Sequence, residues 1–284
     1  MISRKIQGLL QLFRPELPLA AGICVVIGQI LASGTFPSWK VGTLGFLCTF
    51  CISSSALIFN DYFDYEVDKI NAPNRPLPSG KVKPKDVILL GSIVSIIGLA
   101  CSLAINFHAF LFAIFLWLVG FLYNWRYEQA GIFGNLMVST SVGGTFLFGA
   151  ITTNAALTGV VWTFSLMAFF FDLGEEIAGD AMDMEGDRKR GSRSLALTLG
   201  RNPALRMTIF FWLVFILLSI LPFLFGWLEI KFLIIFLLID AIVIIFSVKL
   251  IQSTDANGGH KAMRGAFLGA CVCLVALIIV QILA

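Results

Sequence analysis

The stretch of the chain richest in reactive groups is Asn60-Asp61-Tyr62-Phe63-Asp64-Tyr65-Glu66-Val67-Asp68. On a helix turning ~100° per residue, Asp61, Asp64 and Asp68 fall within a wedge of about 60°. Three carboxylates aimed at one point repel and raise one another's pKa values, so the pattern predicts a shared cation. Oxygen donors of this kind suit Mg²⁺, which keeps several waters and is usually held by a few carboxylates together with phosphate groups. Glu66 lies about 140° from the wedge on the same geometry and is expected to be solvated or paired with a nearby Lys or Arg.

The spacing recurs. Asp180, Asp183 and Asp187 again stand at i, i+3 and i+7, with Glu176 a turn earlier on the same face and Glu185 off it. A basic, Gly-containing segment follows each set: Asn74-Arg75-Pro76-Leu77-Pro78-Ser79-Gly80-Lys81 after the first, Arg188 to Arg193 after the second. Acids for metal and bases for phosphate is the simplest reading of that order.

The elements that must position these groups are set by composition. Hydrophobic residues make up 58%, charged residues 13%, and mean hydropathy is +0.91, whereas a soluble domain is about 25% charged. This predicts a membrane protein, with nine runs close to the ~20 residues that cross a bilayer as a helix. They lie near Leu17 to Ser33, Val41 to Asn60, Val87 to Ala104, Ala109 to Tyr123, a fifth run ending near Ile151, Leu157 to Phe171, Ile209 to Phe225, Phe232 to Val248, and Ala266 to Leu283. The second span leads into the first acidic set and the sixth into the second. Gly, Ser and Thr enrich the fifth span, and small residues let helices pack closely in lipid.

Arg4, Lys5 and Arg14 mark a short interfacial segment before the first span. Arg14, Pro15, Glu16 and Pro18 separate it from that span, so no cleavable leader is expected. The six cysteines sit in apolar runs, including Cys48 and Cys51, and read as small apolar residues rather than a redox or zinc site. Asp240 is an isolated acid at membrane depth, read as a packing or hydrogen-bonding group.

Nine spans put all but two of the 20 Lys and Arg on one side, the exceptions being Lys40 and Lys231. The positive-inside rule then predicts a cell-membrane protein with its N-terminus and both acidic loops in the cytoplasm. The chain reads as one all-α membrane domain over 1–284, with membrane lipids around it and no nucleic-acid partner.

Both acidic sets and Arg126 therefore meet one membrane boundary beside helices of Phe, Leu and Ile. That arrangement suits an amphiphile with a diphosphate head between metal-loaded acids and a hydrocarbon tail among apolar helices or lipid. Metal ions and cationic side chains stabilise charge building on a departing diphosphate. Ionisation of an allylic diphosphate leaves a carbocation for a nucleophile to capture.

The run Asn60 to Asp68, then Asn74 to Gly80, with Asp183-x-x-x-Asp187 later, resembles the UbiA superfamily of intramembrane prenyltransferases. The resemblance extends over essentially the whole chain, including the loop from Tyr123 to Asn135. It implies a bundle of nine transmembrane helices around a central cavity, Mg²⁺ at both acidic motifs, and transfer of a prenyl group from its diphosphate donor to a lipid-like acceptor. It assigns Asn60, Asp61, Asp64, Asp68, Asp183 and Asp187 to the metal site, with Asp61, Asp64, Asp183 and Asp187 the catalytic acids; Asp180 joins them by its place on the wedge. Arg75, Lys81 and Arg126 become diphosphate contacts, with Tyr123 and Arg188 beside them.

Within the family, Asp68 to Asn71, Asn74 to Gly80 and Met184 to Gly191 look most similar to archaeal-type digeranylgeranylglyceryl phosphate synthases. That implies transfer of a geranylgeranyl-type chain to a hydroxyl of geranylgeranylglyceryl phosphate in ether-lipid biosynthesis, with Arg14, Lys189 and Arg193 on the acceptor's phosphate. Chlorophyll-synthase-like members share much of this pattern, so an aromatic quinone precursor or a chlorophyllide-like acceptor stays open. The rival from another class is a cation or metabolite transporter. Transporters place clustered acids near the bilayer midplane, whereas these acids lie at the ends of spans beside long loops.

Overall fold

The computed structural model describes residues 2–283, and every regular element among them is helical. The chain forms two compact units, one of residues 1–128 and 148–156, the other of residues 129–147 and 157–284.

The first unit contains α1 (Ile2–Gln11), α2 (Glu16–Ser33), α3 (Trp39–Phe63), α4 (Tyr65–Asn71), α5 (Pro84–Ile105) and α6 (Phe107–Leu122). Helix α3 is its axis and packs on α2, α5 and α6. Its C-terminal half contributes Ile58 to a core with Leu12, Leu77, Val82, Val87 and Val94. A second core joins Val25, Cys48, Ala109, Ala113, Leu116 and Phe148. Helix α1 is fastened to the basic segment that follows the first acidic set. Lys5 Nζ meets Asp86 Oδ1 at 2.8 Å, Lys81 Nζ donates to Gln11 Oε1 at 2.9 Å, and Leu12 is fully buried.

The second unit contains most of α7 (Ile132–Thr152), then α8 (Gly159–Met182), α9 (Met184–Arg190), α10 (Leu195–Leu199), α11 (Arg201–Leu224), α12 (Leu233–Gln252) and α13 (Ala256–Leu283). Helices α8 and α11 pack along their length. Trp212 stacks on Phe171 with ring centroids 5.6 Å apart, and its Nε1 donates to the Phe171 carbonyl at 3.0 Å. Ser219 Oγ on α11 donates to Asp240 Oδ2 on α12 at 2.8 Å, so Asp240 is a helix-to-helix hydrogen-bonding group.

Among the described residues, eight helical stretches are long and apolar enough to cross a membrane. Helix α8 is the ninth long helix, and its second half carries Asp172, Glu175, Glu176 and Asp180. The architecture is that of a multi-pass membrane protein, as expected. Helix α8 continues from the sixth span into the acids, as expected, and Ser139 Oγ and Asn135 Nδ2 on α7 donate to Asp172 and Asp180, each at 2.9 Å. Other boundaries differ from the sequence reading: α11 begins at Arg201, eight residues before the expected start. The expected 105–108 loop reduces to Asn106, whose side chain caps α6 by accepting from the Ala109 N–H at 2.7 Å. Helix α13 begins at Ala256, ten residues before the expected start. All six cysteines are free.

Candidate active site

The first acidic motif is not one continuous helix. Helix α3 ends at Phe63, Asp64 adopts φ −83° and ψ 2°, and α4 restarts at Tyr65. The one-helix wedge is therefore corrected to a junction centred on Asp64. Because the Asp64 N–H bonds to the Asn60 carbonyl (2.9 Å) and the Asp68 N–H to the Asp64 carbonyl (2.8 Å), the four-residue step survives the break between the helices. Asn60, Asp64 and Asp68 thus stay in register across the joint. Asp61 and Asp68 are buried, Asp64 is half-buried, and Glu66 is exposed and paired with Lys69 at 2.7 Å.

Two arginines meet these acids. Arg14 Nη2 forms an ion pair with Asp61 Oδ1, and Arg75 Nη1 lies 2.6 Å from Asp68 Oδ2 and 3.6 Å from Asp61 Oδ1. Arg14 reaches Asp61 from a left-handed backbone (φ +40°) just before Pro15, a conformation a non-glycine residue holds at a cost of about 1–3 kcal/mol. Burial, and then the neighbouring Arg75 guanidinium, push the Arg14 pKa below its ordinary value.

The second motif repeats the joint. Helix α8 ends at Met182, Asp183 adopts φ −100° and ψ 15°, and α9 restarts at Met184. The Asp183 N–H bonds to the Gly179 carbonyl and the Asp187 N–H to the Asp183 carbonyl, both at 2.9 Å. Asp180 is held by Asn135, Asp187 is half-buried and Asp183 is exposed. Glu185, off the face, is exposed and sits 3.4 Å from Lys189. Among the described residues no three His, Cys, Asp or Glu side chains are gathered into a metal cage. That is compatible with Mg²⁺, which is commonly bound by one or two carboxylates plus substrate phosphates rather than by an all-protein cage.

The remaining expected groups lie nearby in their own units. Tyr123 and Arg126 sit in a π-helical turn, Tyr123–Tyr127, that closes on a Glu128 N–H to Tyr123 carbonyl bond of 2.9 Å; such turns are often found at functional sites. In the same turn Asn124 accepts from Asn60 Nδ2 at 3.4 Å and donates to the Ala56 carbonyl at 2.7 Å, tying the π turn to the first motif. Arg188 and Arg193 are exposed beside the second motif, as is Lys189. Three residues the sequence reading did not weigh touch expected site residues. They are Asn124, Asn135 and His260, the last with Nε2 3.0 Å from Asp183 Oδ1. An amide in an apolar span is a signal that could have pointed to Asn135; His260 lay in a segment expected to be a loop.

The sequence profile of the UbiA prenyltransferase family matches residues 21–272. The chain belongs to the UbiA prenyltransferase family. This intramembrane prenyltransferase is 31% identical over 276 residues to a digeranylgeranylglyceryl phosphate synthase of Thermococcus kodakarensis, covering 97% of this chain and 98% of that one. A solved structure from work on the biosynthesis of digeranylgeranylglyceryl phosphate synthase in membranes shares 30% identity, with a TM-score of 0.78 over 99% of both chains. A UbiA homologue from Archaeoglobus fulgidus, solved with DMAPP and Mg²⁺, shares the fold of the prenyltransferase at 19% identity. Its TM-score is 0.73, covering 94% of this chain and 99% of that one.

Proposed function

We propose that this prenyltransferase moves a geranylgeranyl-type chain from its diphosphate to a hydroxyl of a lipid-like acceptor, geranylgeranylglyceryl phosphate, with Mg²⁺ at both acidic motifs. The acceptor rests on the likeness to the synthase over 97% of the chain. The chemistry rests on one observation, the acid-centred helix junction that occurs at Asp64 and again at Asp183.

The donor set fits a hard divalent ion. Buried Asp61 and Asp68 already accept the cationic heads of Arg14 and Arg75, and carboxylate and amide oxygens are what Mg²⁺ takes. Asn60, Asp61, Asp64 and Asp68 would hold it at the first motif, and Asp180, Asp183 and Asp187 at the second. When bound, Mg²⁺ neutralises charge developing on the leaving diphosphate. Arg75, Lys81, Tyr123, Arg126 and Arg188 are assigned to the diphosphate oxygens. The allylic C–O bond breaks with its electron pair leaving on diphosphate, the acceptor hydroxyl oxygen bonds the prenyl carbon, and the hydroxyl proton is released. Lys189 and Arg193 are exposed cations suited to the acceptor's phosphate. Arg14, first expected there, is drawn to Asp61 instead and serves the first motif on this reading.

The test is a panel of acceptors offered with geranylgeranyl diphosphate to protein purified in detergent. Turnover is expected only with a divalent ion present, with the phosphorylated glycerol ether preferred. Arg193→Gln is expected to raise the acceptor KM more than the donor KM, the mark of lost uniform binding. Efficient prenylation of an uncharged phenol would move the acceptor to the aromatic class, and turnover in excess chelator would remove the metal.

We place the N-terminus and both motif loops on the cytoplasmic face from the distribution of Lys and Arg. In a cysteine-free background, single cysteines at Ser79 and Ser192 are expected to label from the cytoplasm, and those at Ser38 and Thr153 from the other side. Labelling of Ser79 and Ser192 from opposite sides would overturn the orientation.

A further inference from the structure

His260 stands in the opening turns of α13, in a segment whose sequence, Asp255-Ala256-Asn257-Gly258-Gly259-His260, reads as a loop. The segment folds because Asp255 closes it: the Gly258 N–H bonds to Asp255 Oδ1 at 2.6 Å and the Gly259 N–H to the Asp255 carbonyl at 3.2 Å. Gly259 then lies so close to Met182, the last residue of α8, that a Cβ there would overlap the Met182 sulfur. A larger residue there would have to displace the Met182 side chain. The next residue on each side completes a second contact, His260 Nε2 to Asp183 Oδ1 at 3.0 Å.

The start of α13 is therefore registered on the second junction, residue 259 against 182 and residue 260 against 183. Arg201 supports this register from α11: its Nη2 donates to the Ser253 carbonyl at 2.8 Å and to Ser253 Oγ at 2.9 Å, and lies 3.8 Å from the Met182 sulfur. An ionised carboxylate can only accept, so the imidazole Nε2 carries the hydrogen and donates it to Oδ1, leaving Oδ2 for a cation.

We propose that His260 is a positioning residue of the second acidic motif, fixing the Asp183 carboxylate so that it binds a divalent ion tightly. This rests on the reading of Asp183 as a metal ligand. Partners that orient ligating groups affect affinity strongly: their loss typically weakens metal binding or activity by about 10–100-fold. The pair is also partly exposed, with 46% of the His260 and 59% of the Asp183 side-chain surface accessible. Exposed contacts contribute little to stability, so loss of this one should move ion affinity without moving the melting temperature.

Ion binding without turnover tests this. Full-length protein in detergent is titrated with Mn²⁺ in the presence of inorganic diphosphate, free Mn²⁺ is read by electron paramagnetic resonance, and thermal stability is followed in parallel. Asp183→Ala should lose one class of bound ion. His260→Ala should weaken that same class about 10–100-fold with melting temperature little changed. His260→Gln, whose amide N–H reaches as far as Nε2, should recover most of the affinity. A His260→Ala titration equal to wild type, alongside a clear loss in Asp183→Ala, would sink the role of His260 and leave the metal site standing. Equal weakening in the Ala and Gln variants would also sink it, because the donor would then not be what matters. An unchanged Asp183→Ala titration would overturn both this inference and the metal assignment at the second motif.

Discussion

Asp64→Asn and Asp183→Asn are each expected to lower kcat at least ~10²-fold, since electrostatic stabilisation of a leaving group by a metal is worth several kcal/mol and each 1.36 kcal/mol is tenfold. The substitution is close to isosteric. Neither carboxylate caps the short helix that follows it, as no side-chain bond is made at the start of α4 or α9, so Asn removes charge without removing a cap. The matched controls are Glu66→Gln and Glu185→Gln, which remove the same charge a few residues away. Those acids are 78% and 92% exposed and paired with Lys69 and Lys189. Exposed pairs contribute little, so kcat and Mg²⁺ dependence should stay within a few-fold of wild type. If Glu66→Gln proved as damaging as Asp64→Asn, negative charge in general would be what matters, and the assignment of ligands to the junctions would have to be given up.

Gly131→Ala is expected to be the most destabilising small substitution near the second motif. Gly131 holds φ +61°, and a Cβ there would overlap the Arg193 carbonyl oxygen. The two segments cross tightly and share a hydrogen bond from the Arg193 N–H to the Gln129 carbonyl at 3.1 Å. An alanine must bear the left-handed backbone, at about 1–2 kcal/mol, and the collision, at about 1–3 kcal/mol. Gly34→Ala separates the two terms, since Gly34 has φ +72° with nothing within 4 Å of a Cβ. Melting in detergent should show a clearly larger loss for Gly131→Ala than for Gly34→Ala, and Gly131→Ala should also raise the KM that depends on Arg193. Equal losses would mean that the crossing itself contributes nothing.

Much of this was legible in the chain. Spans are visible because hydropathy falls wherever backbone leaves the bilayer, and the two sets of acids are visible because their spacing is helical on either side of Asp64 and Asp183. The junctions themselves were hidden, because the Asn60-to-Asp64 and Asp64-to-Asp68 hydrogen bonds keep the four-residue helical step across the break. The Arg14 pairing was hidden because its partner Asp61 lies 47 residues further along the chain, a contact that no local pattern encodes. His260 was missed for a related reason. Gly258 and Gly259 read as breakers, whereas Gly259 is there for close approach to Met182, and the polar run that lowered the hydropathy is the start of a helix.

One consequence follows from the acids of α8. A segment holding Asp172, Glu175, Glu176 and Asp180 is poorly suited to partition into lipid alone, as an Asp near the centre of a lone helix is penalised by about 2.5–3.5 kcal/mol during translocon-mediated insertion. The hydroxyl of Ser139 and the amide of Asn135 on the preceding helix already answer two of those acids. During synthesis α7 and α8 are therefore best delivered to the bilayer together as a hairpin, with α7 shielding its successor until α11 arrives. Ser139 and Asn135 of α7 thus act as an escort for acids that could not enter the membrane unaccompanied.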